Sequence, residues 1–244
     1  MKKLLWSLLA TVTVASTMHA QADSRPGVAI LPFTVSIAGP GGEDYKSLGL
    51  GVAALLSTDL VNSANVRVVD REQLNALLRE QDLTSTGRIS AETAVRLGKL
   101  VGARYMLVGD VTSIDMDPKT RMPRNISVAI RTIDSETGEL KNLGDRLRGA
   151  PDDVASLVNR GIEAAVRDLK LPALPAGPAR DAGEVAKATA KKAPFQTVML
   201  YSRALEAQDK GNTTEAVTLF KQALDKFPEH EPSKVALKKL GATS

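Results

Sequence analysis

The sequence predicts an α/β fold: a mixed β-sheet flanked by helices, followed by a small all-α helical hairpin. Three observations carry this. Short apolar runs at residues 27–33 and 104–111 are separated by stretches whose apolar residues recur at helical spacing. Residues 125–133 alternate and face a second strand-like run, 140–147, across a turn at 134–138. Beyond a segment rich in Pro, Ala and Lys at 171–194, the pattern is helical only.

The elements follow in order. Residues 27–33 (GVAILPF) read as a fully buried strand, and 36–44 as a glycine-rich loop. Residues 45–63 read as a helix with Leu48, Val52, Leu55, Leu56 and Leu60 on one face. A second strand is expected at 66–69. Asp70 then caps a helix, its carboxylate meeting free backbone amides, with Gln73 in capping-box position and Leu74, Leu77 and Leu78 facing inward. Residues 84–89 form a loop. Ser90 caps the next helix, 91–100, and Gly102 ends it. Strands at 104–111, 125–133 and 140–147 precede an amphipathic helix at 151–169, with Val154, Leu157, Val158, Ile162, Ala165, Val166 and Leu169 inward. The order β-α-β-α-α-β-β-β-α predicts a sheet that is parallel early and antiparallel late.

Four prolines, Pro172, Pro175, Pro178 and Pro194, prevent a long helix across 171–194. The segment reads as a linker with a short helix near 184–192. In 195–240, Ala204, Ala216, Phe220, Ala223 and Pro228 fall on signature positions of a tetratricopeptide-type repeat, which is roughly 34 residues long. Gly211 marks the turn between its helices, and 232–240 is a capping helix. A single repeat cannot bury a continuous core, so it must dock on the first domain, a sister subunit or a partner. The expected organisation is a leader at 1–22, an α/β domain at 23–170, the linker at 171–194 and a helical domain at 195–244.

The start reads as a signal peptide. Lys2 and Lys3 precede an apolar stretch at 4–15, and Ala20-Gln21-Ala22 fits a small-x-small cleavage pattern, giving cleavage after Ala22 with Ala20 as the other choice. The expected location is therefore the periplasm. The chain of 244 residues contains no cysteine, which leaves neither a disulfide nor a thiol for lipid attachment. Losing Lys2 and Lys3 takes the formal charge from +4 to +2. The one basic cluster, Lys187, Lys191 and Lys192, falls in the linker and reads as solvated charge, so no nucleic-acid partner is expected. Aromatic content of 3% argues against base-stacking surfaces and the aromatic girdles of a membrane barrel.

No constellation rises to an active site, so no catalytic, cofactor-binding or metal-binding residue is assigned. Behind the leader His230 is the only histidine, and it reads as a solvent-exposed turn residue. Glu72 and Glu80, with Arg71 and Arg79, read as a solvated helix face. Asp115 and Asp117 lack the further oxygen ligands that calcium needs and read as a turn. The loop at 39–44 precedes a helix but lacks the Lys-Ser/Thr of a P-loop and carries Glu43 and Asp44. Partner contacts could fall on Gln196, Met199, Tyr201 and Arg203 of the repeat, or on Tyr45, Leu50 and the 39–44 loop.

The segments GVAILPF, LLSTDLVNSANVRVVDREQLNALLREQDL, AVRLGKLVGARYMLVGDVTSI and VAIRTIDSETGEL resemble the soluble domain of the CsgG/HfaB family over about residues 27–169. VVDREQL, LGxxxGARY and TxxSETGE occur in order. That family includes the curli secretion channel and holdfast-anchoring proteins of the bacterial outer membrane. Similar folds occur in penicillin-binding-protein activator lipoproteins and in the amino-terminal domain of the TolB protein.

The resemblance implies a non-enzymatic envelope protein that binds envelope or secreted proteins in assembly or export of surface structures. It leaves room for peripheral association with the outer membrane and for a homo-oligomer. The alternatives are a subunit of an outer-membrane secretion channel, or a regulator of envelope-synthesis enzymes. The channel members carry two long β-hairpins. Each membrane strand needs about 9–11 residues, and neither 112–124 nor 149–153 can hold such a hairpin.

Overall fold

The structure is a computed structural model that describes residues 23–39, 41–81, 90–113, 116–120, 122–175 and 193–242. The expected leader and cleavage sites, the 84–89 loop, Asp115, and the linker residues 176–192 with their three lysines lie outside the described residues.

Strand β1 (Gly27–Ile30) is buried along its whole length, as its unbroken apolar run requires. It pairs in parallel with β3 (Arg67–Val68) on one side and with β4 (Tyr105–Ser113) on the other. After Pro32 the chain resumes as β2 (Thr34–Ile37), which runs parallel to the far half of β4. Strand β5 (Ile126–Asp134) is antiparallel to β4, and β6 (Leu140–Asn142) and β7 (Leu147–Gly149) both pair antiparallel with β5. The sheet is thus mixed, parallel early and antiparallel late, and the α/β class holds.

Three local expectations are corrected. The loop expected at 36–44 starts later: residues 36 and 37 belong to the strand Thr34–Ile37, because β4 is long enough to carry β1 and β2 end to end. The helix expected from residue 45 begins at Leu48 as α1 (Leu48–Ser63), and Tyr45 closes a separate 3₁₀ turn, Gly42–Tyr45. The single strand expected at 140–147 is two short ones, broken at Gly144, whose φ of 64° turns the chain out of the ladder.

Helix α2 (Arg71–Glu80) starts where Asp70 accepts hydrogen bonds from the amides of Glu72 (2.8 Å) and Gln73 (3.3 Å). Helix α3 (Ala91–Val101) is capped by Ser90 and ends at Gly102 in the left-handed conformation. Both pack their apolar faces on one side of the sheet, with Leu74, Leu78, Ala94 and Leu97 in one cluster with Met106 of β4. Helices α1 and α4 (Val154–Asp168) cover the other side, with Leu48, Val52, Leu56, Leu60, Leu157 and Val158 fully buried. Fully burying such side chains stabilises the fold by about 1.5–3 kcal/mol each.

Helix α5 (Phe195–Asp209) lies on α1 and joins this same core through Phe195, Val198 and Met199. Helices α6 (Thr213–Lys226) and α7 (Glu231–Lys239) complete the helical unit. Its interior is built on Tyr201, Ala204, Leu205, Ala216, Phe220 and Leu237, and Leu50 and Ala54 of α1 pack into it. Gly211, at φ 78°, forms the turn between α5 and α6. Helix α1 is therefore apolar on both flanks because it is covered on both.

A cleft between helix α2 and the helical hairpin as the candidate functional site

The packing of α2 dictates what its remaining faces can do. With Leu74, Leu77 and Leu78 turned to the sheet, Arg71, Asn75 and Arg79 recur every four residues along one flank. That flank meets the last turn of α5. Arg71 forms an ion pair with the Asp209 carboxylate and donates to Gln208 Oε1 at 3.2 Å. Asn75 Nδ2 donates to the other Asp209 carboxylate oxygen at 3.0 Å, and Arg79 donates to the Asp209 carbonyl at 3.0 Å. A guanidinium at the carbonyl end of a helix also meets the negative end of its dipole. Gln208 Nε2 donates in turn to Glu72 at 3.4 Å. The helical unit is thus clasped to α2 as well as seated on α1.

Beside this clasp a cleft opens. Its wider part, about 600 Å³, is bounded by Glu72, Asn75, Arg79, Asp209, Lys239 and Leu240. Its narrower part, about 190 Å³, shares Glu72, Gln208 and Lys239 and continues between Arg71 and Tyr201 on one side and Val235 on the other. Tyr201 is held by ring contacts, tilted against Phe220 at 5.8 Å and edge-on to His230 at 5.0 Å. Burial pushes its hydroxyl up to about 12, against the opposing pull of Arg71, so it stays a hydrogen-bond donor.

Two other depressions exist. One, about 610 Å³, lies at the N-terminal ends of β1 and β4. There Arg25 is held by Asp23 at 2.7 Å and Arg104 by Asp134 at 3.4 Å. The other, about 320 Å³, lies on the sheet face, where Arg131 pairs with Asp110 at 2.8 Å. In the α2 cleft, Lys239 and the Tyr201 hydroxyl have no hydrogen-bond or ion-pair partner among the described residues; in the sheet-face depression the buried Nε of Arg131 has none.

The residues weighed from sequence fall as follows. His230 is not a solvent-exposed turn residue: it is 4% exposed. Its Nδ1 is 2.7 Å from Ser233 Oγ, and burial pushes its imidazole down to about 4. The Tyr201 ring stands edge-on to it at 5.0 Å. Arg71 and Arg79 do not lie on a purely solvated face, because the end of α5 reaches them. Met199 and Tyr201 are buried inside the chain, and Tyr45 stacks on Phe195 at 6.0 Å. Gln196 and Arg203 stay exposed, Arg203 beside the Asp44 carbonyl at 3.5 Å. The face of the helical unit expected to meet partners is thus largely taken by α1. Asp117 does form a turn, accepting from the amides of Lys119 and Thr120 at 2.9 Å each. Among the described residues no group of three or more His, Cys, Asp or Glu is placed to hold a metal ion, and no described helix is long and apolar enough to cross a membrane.

With this geometry in place, the chain can be set beside known proteins. A family model described as "Curli production assembly/transport component CsgG" matches residues 12–123. No curated protein matches the chain. Among solved structures, lipoprotein GNA1162 from Neisseria meningitidis is 14% identical, with 59% of this chain and 98% of that chain covered and a TM-score of 0.40. The LpoB C-terminal domain from Escherichia coli is 15% identical, with 52% and 82% covered and a TM-score of 0.34. A PelC dodecamer from Paraburkholderia phytofirmans is 15% identical, with 62% and 90% covered and a TM-score of 0.30.

The cleft residues escaped the sequence because each belongs to an ordinary polar helix surface. The one available signal was the spacing of Arg71, Asn75 and Arg79, three long donors on a single flank.

Proposed function

We propose that this chain is a non-enzymatic protein of the bacterial envelope, exported by residues 1–22, that binds a protein partner during assembly or export of a surface structure. The observation that supports this most is the match of residues 12–123 to the curli production assembly/transport family model. The chain's own chemistry agrees with a binding role. The cleft beside α2 is lined by donors, carboxylates and one apolar wall, which suits recognition of another chain.

Fractionation tests the reading. The full chain, expressed in a Gram-negative host, is expected in the osmotic-shock fluid with Asp23 as its new N-terminus, and removal of residues 2–22 should retain it in the cytosol. A photo-cross-linking amino acid at Val235, on the rim of the cleft, should give a discrete adduct with an envelope or secreted protein. Recovery of the full-length chain in the cytosol, or as an integral protein in the membrane pellet after a high-salt wash, would overturn the reading.

A further inference from the structure

We infer that the depression at the N-terminal ends of β1 and β4 binds a phosphomonoester group, carried by a small soluble molecule or by a lipid headgroup. The inference stands apart from the α2 cleft and goes beyond the partner-binding reading.

The depression, about 610 Å³, has the size of a small-molecule site. Arg25, Lys99, Arg104 and Lys170 line it, against one lining carboxylate, Glu136. Beside it, Arg67 donates to the Gly102 carbonyl. With Asp23 and Asp134, the partners of Arg25 and Arg104, three carboxylates stand against five cations. Asp23 holds Arg25 at 2.7 Å, whereas Arg104 is held loosely, by Asp134 at 3.4 Å and Glu136 at 3.8 Å. Lys99 and Lys170 have no hydrogen-bond or ion-pair partner among the described residues. Two positive charges are therefore left without a counterpart.

Helices α3 and α4 both end here, and a lysine at a helix C-terminus often serves the exposed carbonyls. Other groups already meet that need. Arg67 donates to the Gly102 carbonyl, the amide of Ala103 to that of Gly98 and the amide of Leu171 to that of Val166. Lys141 donates to the Asp168 carbonyl at 2.9 Å. The ammonium groups of Lys99 and Lys170 are thus left to the depression. Lys170 also holds φ of 50°, where glycine is favoured. That strain has a use if an ammonium group is what the position supplies.

A phosphomonoester carries about −1.5 to −2 charge at neutral pH and three acceptor oxygens. It matches the two unneutralised charges and offers oxygens to both lysines and to Arg104, whose long bonds leave donors spare. A single carboxylate supplies less charge and fewer oxygens. The Tyr105 ring, under the Arg104 guanidinium at 5.2 Å, and Pro172 give the rest of the ligand an apolar support.

The test uses the purified full chain at about pH 7.5, above the second ionisation of the ester at about 6. Isothermal titration with glycerol phosphate reads the soluble source. Co-sedimentation with phosphatidylcholine vesicles, with and without phosphatidic acid, reads the lipid source. Saturable binding of glycerol phosphate below about 1 mM, or sedimentation that requires phosphatidic acid, is expected, with no saturation by acetate. Lys99→Ala and Lys170→Gly should each weaken that binding about 5-fold or more. Lys221→Ala removes an exposed charge on α6 outside the depression and should leave it unchanged. Lys170→Gly should weaken binding while raising the melting temperature, an opposition that a damaged fold would not produce.

Failure of both sources to bind, equal binding of acetate, unchanged affinity in both lysine variants, or an equal loss in Lys221→Ala would overturn the inference. None of these outcomes depends on export of the chain or on the Val235 adduct, so the envelope reading stands or falls separately.

Discussion

Gly51 of α1 lies directly against Ser202 of α5: a β-carbon at residue 51 would overlap the Ser202 hydroxyl. Ser202 is itself fully buried and donates to the Val198 carbonyl at 2.7 Å. Two helix backbones therefore come close at this point, and they do so because one of them lacks a side chain. The close approach seats Phe195, Val198 and Met199 of α5 on the core shared by α1 and α4.

Gly51→Leu should prise this seam apart. Added volume at a closed helix contact costs about 1–3 kcal/mol, partly offset by the roughly 1 kcal/mol that leaves the helix with its glycine. The expected outcome is a lower urea midpoint together with faster tryptic cleavage in 195–240. An unchanged proteolysis rate would mean that α5 does not rest on α1 at this point.

The clasp at the other end of α5 gives a second expectation. Asp209 and Arg71 have side chains 22% and 23% exposed, so their ion pair is largely withdrawn from water. Asp209→Ala leaves Arg71 with Gln208 as a partial partner and leaves Asn75 without its acceptor. A loss of about 1–3 kcal/mol is expected in chemical denaturation. A double-mutant cycle with Arg71→Ala should show coupling of about 1 kcal/mol or more. Additive single effects would place the two side chains apart.

Which features the sequence disclosed depends on whether they are local. The caps at Asp70 and Ser90, the stop at Gly102 and the inner faces of α1, α2 and α4 are set by neighbours within a few residues, and all are present as read. The docking of α5 was readable in part. In LGLGVAALL the outer positions Leu50, Gly51 and Ala54 are small or apolar, and a helix apolar all round is one covered on both sides. The cleft was not readable, because it joins residues such as Arg71 and Asp209 that lie far apart in sequence and whose helices carry normal surface polarity. His230 was misread for the same reason: it is buried beside Tyr201, which belongs to another helix.

Lys170 offers a third test. It ends α4 with φ of 50°, the one non-glycine residue with positive φ among the described residues. The amide of Leu171 donates to the Val166 carbonyl at 3.0 Å across it, which is the helix-stop geometry that favours glycine. Lys170→Gly should therefore raise stability by about 0.5–1 kcal/mol, seen as a higher melting temperature. Lys170→Ala should bring no such gain. Equal effects of the two substitutions would show that backbone strain is not the cause.

Asp59 and His230 should oppose one another as the pH falls. Burial raises the Asp59 carboxyl from 3.8 to about 6, and its carboxylate has no hydrogen-bond partner among the described residues. A native carboxyl that holds its proton more tightly than the unfolded chain does is a burden at high pH. That burden is absent below about 3.8 and complete above about 6. Burial lowers His230 from 6.5 to about 4, so its contribution is complete above 6.5 and is lost as the pH falls through that range towards 4. Each effect amounts to at most ~3 kcal/mol. The parent chain should therefore show a shallow dependence between pH 6.5 and 4, where one gain offsets one loss. Asp59→Asn should be more stable than the parent by about 1–3 kcal/mol at pH 8, match it near pH 3.5, and lose stability more steeply between them because His230 then acts alone. His230→Gln should do the reverse and gain stability as the medium is acidified to pH 4. Urea midpoints at 25 °C across this range decide the matter: parallel curves for the parent and Asp59→Asn would show that the carboxyl is not buried without a partner.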